Sequence, residues 1–430
     1  MLPGLILLSI FFVITLRNFR YGLFIFLASL PAYLVRFKIF GLPTTMLELL
    51  FWILFAVWIY NNVILNPFQG LAKRFRGKFG IETVVPIGLF FASSIVAIFI
   101  SPGWWQALGV WRAYFLEPIL FFVILLTTVR NEDDFDWAVW PLIISVFYIS
   151  LYAFAQRFLG LPIITPWQAE LRVTSLFDYP NAVGLFIAPI LPFVLVQAIK
   201  YFKFRASKMK LAEAVILCVI FALGIGAIIL AKSDGAFIGL AAGLAVFGLI
   251  YNRKTRLAVA IAIMAVSVAI LVIPGVGQKV ANQFLLGDWS GYVRQTIWSE
   301  TWQMLKDNPL FGAGLAGYQT VFAPYHLSRG IEIFMYPHNI FFNFWSEVGM
   351  LGLVALVWLV IMFFKKLIME FKFLISEPFA TAALSAMIII LVHGLVDVPY
   401  FKNDLSFLFW IIIAMPFILP KSEKSGKMGK

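Results

Sequence analysis

Charged residues are scarce in this chain. Aspartate, glutamate, lysine and arginine make up 13% of its 430 residues, while 62% are hydrophobic. A soluble globular protein carries roughly twice that share of charge, so no water-soluble domain is expected. Cysteine is scarcer still. Cys218 stands alone within an apolar run, which excludes an intrachain disulfide and argues against a reactive thiol. Three histidines, with no H-E-x-x-H, no C-x-x-C and no close group of acids, leave nothing with the spacing of a metal site. A low-complexity linker and an obvious internal repeat are also missing. No small-residue cleavage site separates the apolar residues 2–16 from Arg17, so the first span is read as its own insertion signal.

What the chain has is length of apolar run. Mean hydropathy is +0.95, and apolar stretches of about 17–25 residues recur throughout, as membrane spans do. The expectation is an all-α polytopic bundle, one membrane domain over residues 1–430. Spans are expected near 2–16, 22–36, 43–66, 82–101, 112–129, 137–158, 181–199, 211–231, 235–251, 257–274, 338–364, 377–398 and 405–420. That makes about 12 or 13 crossings. The net charge of +12 would suit nucleic acid, but its distribution points to the bilayer and not to nucleic acid. Basic residues cluster in alternate short loops: Lys73, Arg74, Arg76 and Lys78; Lys200, Lys203, Arg205, Lys208 and Lys210; Arg253, Lys254 and Arg256; Lys365 and Lys366; and the tail from Lys421. The positive-inside rule puts these, and by parity the acidic loop 131–136, in the cytoplasm. Loops 102–111, 159–180, 399–404 and the long 275–337 then face outward. Some sixty residues exceed what a connection needs, so the long loop is where function is sought.

Within it, residues 289–306 read as an amphipathic helix with Arg294, Trp298, Thr301/Trp302 and Leu305 on one face, ended by "DNP" at 307–309. Arg294 either snorkels to lipid phosphate or addresses the phosphate of a substrate. "GAGLAG" at 312–317 matches a dinucleotide fingerprint in form only, lacking the strand, the helix and the cytoplasmic side. Its glycines are read as permitting a tight turn or a close backbone approach. Next, "YPHN" presents His338 at the start of a span, with Asn339 able to cap it. An imidazole there either meets water or exchanges a proton with a substrate. In the loop before, Arg172, Asp178 and Asn181 precede a span whose start is fixed by Tyr179–Pro180. Charged or titratable groups near or within spans are few: Glu48, Glu117, Glu213, Lys232, Asp234, His393 and Asp397. Such groups are costly in lipid and are functional candidates by default. A local Lys232–Asp234 ion pair and an i,i+4 contact between His393 and Asp397 are equally good readings.

"R…W…DNPLFGAGLAGY", "PHNIFFNFWSEVGMLG" and "HGLVDVPYF", with "RVTSLFDYPNAVG" upstream, resemble the O-antigen ligase and polymerase superfamily from about residue 110 to 418. The resemblance implies a bundle like that of C-type glycosyltransferases. It implies transfer of a glycan from a polyprenyl diphosphate carrier to a glycolipid, glycan or protein acceptor, on the outer face of a bacterial cytoplasmic membrane. It also implies inversion at the anomeric carbon and neither metal nor other cofactor. Arg294 matches a family arginine that holds the diphosphate, and His338 a histidine that assists the acceptor hydroxyl. Arg172, Lys232, Arg329, Trp298 and Asn339 complete the candidate set for binding diphosphate or glycan. One position departs from the family. An arginine often follows a serine or threonine at the start of the span near 235, and here "KSDGA" puts Asp234 in that slot. Lys232 and Arg172 are the cations at hand to supply its charge.

Direct chemistry agrees with the resemblance. A leaving diphosphate gathers negative charge that fixed guanidinium groups stabilise, and a neutral histidine takes the acceptor's proton. Ligase, polymerase and protein O-oligosaccharyltransferase differ in acceptor and not in this core. The rival from another class is a transporter of lipid-linked sugars. It calls for repeated halves, broken helices and polar groups at the midplane, whereas the polar groups here gather at the outer boundary.

Overall fold

The computed structural model describes residues 2–39, 42–64, 80–203, 208–275, 277–278, 281, 287–328, 330–370 and 377–419. Arg329, the basic residues at 73–78, Arg205 and the tail from Lys421 lie outside the described residues.

The bundle is helical, as its composition dictates. Its helices are α1 (Leu2–Arg17), α2 (Phe19–Ala28), α3 (Met46–Ile59), α4 (Ile81–Ile100), α5 (Trp104–Thr128), α6 (Glu132–Phe158), α7 (Asn181–Ile187), α8 (Leu191–Lys203), α9 (Lys208–Leu230), α10 (Asp234–Tyr251), α11 (Arg253–Val272), α12 (Trp289–Asp307), α13 (Tyr318–Phe322), α14 (Ile340–Glu370), α15 (Pro378–Gly394) and α16 (Asn403–Ile418). Among the described residues eight helices are long and apolar enough to cross a membrane, and α7 with α8, bent by 44°, makes a ninth candidate. The remaining expected crossings fall on shorter apolar helices, α1, α2, α15 and α16. α16 is short for a reason. Its residues from Asn403 to Pro416 are buried on every side, so it is a central pillar and not a lipid-facing rod. Conversely, α11 has no buried residue and packs on α10 alone among the helix pairs in close contact.

Local chemistry sets the breaks. The α7–α8 bend falls at Ala188–Ile190, where Pro189 and Pro192 remove two backbone donors. Within α5, Pro118 follows a π-turn over Arg112–Leu116. Thr45 and Glu48 form a reciprocal capping box that starts α3. Among the described residues the one departure from an all-helical reading is a hairpin pairing Arg36–Ile39 with Leu42–Thr45.

The outer-loop helix is found at Trp289–Asp307, capped by Asp288 and followed by Pro309. Thr301 and Leu305 of the expected face are buried. Ile297, Thr301, Met304 and Leu305 face inward, while Trp302 is 44% exposed and meets Trp345 edge-on. Ile297 and Met304 carry no polar atom, whereas an indole N–H needs a partner or water, so the helix is turned toward the former. This stripe forms a small second core with Ala313, Tyr318 and Phe322. The glycine loop is wedged between α4 and α14. Leu315 donates to the Ala97 carbonyl and Ala313 to the Ser346 carbonyl, and a Cβ on Gly314 (φ +77°) would strike the backbone of Ser101. Glu347 accepts the backbone N–H groups of Ala316 and Tyr318 and closes the dock. Close approach is therefore what these glycines permit.

The bundle has two chemically distinct ends. One holds the turns near residues 18–20 and 131–136 together with Lys200, Glu82 and Lys365. The other holds the hairpin, the 159–180 loop, the α9–α10 elbow, the α12–α13 segment and the α15–α16 connection.

Candidate active site

His338 sits immediately before α14 in left-handed backbone, φ +50°. Such a conformation is uncommon for a non-glycine residue and holds only where its surroundings fix it. Here they do. Asn339 accepts from the N–H groups of Phe341 and Phe342 at 3.0 and 3.1 Å, capping α14, and its Nδ2 donates to the Leu395 carbonyl at 3.0 Å. Trp298 donates its indole N–H to the Pro337 carbonyl at 2.8 Å, so α12 holds the turn from the other side. Phe334 meets the imidazole edge-on at 5.0 Å.

The next contact is the one that organises the site. His338 Nδ1 stands 3.5 Å from Asp397 Oδ1, an ion-pair distance longer than a tight hydrogen bond. Asp397 is buried and receives Asn181 Nδ2 at 2.9 Å and the Val398 N–H at 2.8 Å. Burial pushes its carboxyl up, but the contact with His338, the charge of His338 and His393 and the backbone donor together hold it below the usual carboxylate range. Arg294, one residue back in contact, donates Nε to the Val396 carbonyl at 3.0 Å and Nη1 to Ser290 at 2.9 Å. Three consecutive residues, Leu395, Val396 and Asp397, thus each hold one of Asn339, Arg294 and His338.

Arg172 joins this hub through Asn181. Its Nη2 donates to Asn181 Oδ1 and to the Lys232 carbonyl, both at 3.2 Å, and its Nε to the Ala231 carbonyl at 3.2 Å. Its guanidinium also lies 5.0 Å over Trp167, and burial lowers its pKa. Arg172 and Arg294 interact electrostatically, so the two cations share one neighbourhood. Lys232 is exposed, with φ +49°, and its Nζ donates to the Glu170 carbonyl at 2.8 Å. Among the described ion pairs none joins Lys232 to Asp234. His393 and Asp397 interact electrostatically, but the carboxylate bonds to Asn181 and faces His338 instead. Asp397 lies beyond the end of α15, outside the helical register that an i,i+4 contact requires. Sequence reasoning noticed Asp397 and Asn181 and missed their partners. Both stand in family-like segments, "HGLVDVPYF" and "DYPN", which was the signal available.

Chemically, the arrangement offers a histidine backed by a carboxylate, beside two arginines anchored by carbonyl oxygens. Among the described residues no three His, Cys, Asp or Glu side chains come close enough to hold a metal ion.

Residues 219–357, about a third of the chain, match the family model described as O-Antigen ligase. The match covers Lys232, Arg294, Trp298, His338 and Asn339, and it bears out the resemblance to the O-antigen ligase superfamily. No curated protein matches the chain. With the apolar helices, the match supports a multi-pass membrane protein of ligase or polymerase type that works with glycan and lipid-linked substrates.

Proposed function

We propose that this protein transfers a glycan from a polyprenyl diphosphate carrier to an acceptor hydroxyl at the outer face of a bacterial cytoplasmic membrane, in the manner of an O-antigen ligase. The observation that carries the reading is the convergence of Arg294 and His338 on the adjacent residues Val396 and Asp397. With the imidazole Nδ1–H turned to Asp397, the lone pair rests on Nε2, free to face a substrate. Nε2 takes the acceptor proton as the acceptor oxygen bonds to the anomeric carbon, and the bond from that carbon to the diphosphate oxygen breaks. Direct displacement inverts the centre. The departing diphosphate carries the new negative charge, and Arg294 and Arg172 stabilise it, since neither spends its charge on a carboxylate among the described ion pairs. Lys232, Trp298 and Asn339 shape the same end: Lys232 as a further cation at the α9–α10 elbow, the other two by fixing the turn that presents His338. The basic loops, by the positive-inside rule, support a cytoplasmic location for the opposite end.

A glycan polymerase, or a protein O-oligosaccharyltransferase, would use the same core with a different acceptor. The transporter reading gains one feature, the broken α7–α8 helix. That break, however, delivers Asn181 to the arginine–aspartate network at one end of the bundle, which is what transfer chemistry needs.

The test is a transfer assay on the purified full chain with a polyprenyl diphosphate-linked glycan, a lipid A–core glycolipid acceptor and EDTA in excess. Glycan-bearing acceptor with an inverted linkage is expected. Transfer that vanishes with EDTA and returns with magnesium would assign the diphosphate to a metal. Donor that crosses vesicle membranes unreacted would establish the transporter.

A further inference from the structure

Next to His338 lies a second polar cluster, which contains neither Arg294 nor Arg172. Lys402 is its base. The residue is 7% exposed, and its ammonium lies 4.5 Å over Phe177, 5.0 Å over Tyr33 and 5.4 Å over Tyr179. Asp404 stands 3.6 Å away, yet no hydrogen bond reaches Nζ among the described residues. A buried lysine with three unspent N–H donors is expensive unless something accepts from it or its rings repay it. Tyr179 interacts electrostatically with Tyr336, whose ring is 6.2 Å from the His338 imidazole. At the exposed rim Arg36, from the hairpin, pairs with Asp178 at 3.4 Å.

Two short segments tie this cluster to the proposed chemistry. In "FDYPN", Phe177 and Tyr179 cover Lys402, Asp178 holds Arg36, and Asn181 bonds to Asp397. In the α15–α16 connection, Asp397 faces His338 and Lys402 sits five residues on. Charge separates the two clusters. Arg172 and Arg294 are held by carbonyls, an amide and the Ser290 hydroxyl. Although Glu170 and Asp234 act on Arg172 from a distance, no described ion pair ties either guanidinium to a carboxylate. In the second cluster each cation has a carboxylate of its own, Arg36 with Asp178 and Lys402 with Asp404. A surface with tyrosine ring faces, phenolic hydroxyls and a neutralised arginine–aspartate pair stacks against pyranose rings and exchanges hydrogen bonds with hydroxyls, without favouring either sign of charge.

We propose that this cluster is the acceptor subsite and that it takes a neutral, hydroxyl-rich sugar. Tyr336, Tyr179, Arg36 and Asp178 contact the sugar, and Lys402 is a positioning residue that holds the tyrosine faces from beneath. The acceptor and the diphosphate are then held by two separate sets of residues around His338, as displacement with inversion requires. This inference rests on the glycan-transfer reading, so its test is a binding measurement that needs no turnover.

The purified full chain is titrated with core oligosaccharide freed of lipid and phosphate, and binding is followed by saturation-transfer NMR and intrinsic fluorescence. The same titration is run with the phosphorylated oligosaccharide. The neutral probe should bind saturably. Arg36→Ala, at an exposed position that threatens no core, should weaken it ~10-fold, the loss of one charge-assisted contact. Lys402→Met should weaken it comparably and Lys402→Arg less, while Arg294→Ala leaves it within about twofold. The inference is overturned if the neutral probe does not bind the wild-type chain, if its phosphorylated form binds ~10-fold tighter, or if Arg294→Ala weakens it as much as Arg36→Ala does. A chain that binds the sugar yet never transfers a glycan would sink the transfer reading and leave this subsite standing.

Discussion

Two groups of cations in this bundle are held differently. At the end assigned to the cytoplasm, Lys200 is gripped by Glu132 at 2.7 Å and Asp136 at 2.6 Å, Arg20 by Asp134, and Lys366 by Glu370 at 3.4 Å. At the other end Arg36 and Lys402 likewise face carboxylates, Asp178 and Asp404, whereas Arg172 and Arg294 are held by the carbonyls of Ala231, Lys232 and Val396. A carboxylate cancels a cation, whereas a carbonyl orients it and leaves most of its charge outstanding. The first arrangement holds loops together and is worth little at exposed positions. The second stores electrostatic potential for an anion that arrives later. The same residue types therefore serve topology at one end and, in the proposed reaction, catalysis at the other.

The largest effect should come from the group that touches the reacting hydroxyl. His338→Ala should cut turnover ~100-fold or more with donor binding largely kept, as loss of a general base does. Asp397→Asn is the sharper variant. It leaves a side chain of the same shape beside His338 but removes the charge that fixes the imidazole, so turnover should fall by at least ~10-fold. The pH profile should change as well, which a merely structural role would not cause. Single-turnover rates on detergent-stable protein across pH 6–9 measure both. Near wild-type turnover in His338→Ala would return the ring to a helix-start residue that meets water.

The contrast between a carbonyl-held and a carboxylate-held cation is tested directly by a matched pair. Arg294→Ala should raise the donor KM and lower kcat by about 10-fold or more in kcat/KM, and Arg294→Lys should recover only part, because a point charge does not reproduce the guanidinium fork. Lys200→Ala should lower thermal stability by a degree or two at most, roughly what a partly exposed pair contributes, without altering transfer. Equal kinetic losses in Arg294→Ala and Lys200→Ala would erase the distinction.

Sequence carried the bundle, because apolar length and basic loops report spans one at a time. It also carried the candidates, since a histidine or arginine at a span boundary stands out against so little charge. Their partnerships were not legible. Asp397 reads in sequence as a neighbour of His393, four residues back, but the helix ends at Gly394 and the chain turns the carboxylate to His338 and Asn181. Lys402 drew no attention, because the rings around it come from residues 33, 177 and 179. On α12 the sequence grouped Arg294, Trp298, Thr301 and Leu305 on one face, but it did not show that Ile297 and Met304 are buried beside them. Periodicity fixes elements, and contacts across hundreds of residues fix sites.

The smallest expected effect concerns how the outer segment is clasped before it reaches His338. His326 is 9% exposed and sits between two acceptors, Glu300 at 2.8 Å from Nδ1 and the Ile331 carbonyl at 2.7 Å from Nε2. Only an imidazolium donates at both nitrogens, so the geometry calls for the protonated ring. Burial pulls its pKa down, but the Ile331 carbonyl and Glu300 outweigh this and leave it raised. A raised histidine stabilises the folded clasp fully below the ordinary histidine value, and the contribution fades as pH climbs through the raised one. Glu300 also receives the Leu327 N–H and the Ser328 hydroxyl, so losing the proton loosens one side of the clasp and does not free the segment. Amide exchange across residues 326–335 should therefore quicken roughly threefold to tenfold between pH 6 and 9, after correction for intrinsic chemistry. His326→Gln, which cannot carry the charge, should show the faster rate throughout with no such rise. Exchange that is flat with pH in the wild-type chain would mean that the ring is neutral and that the clasp is ordinary packing.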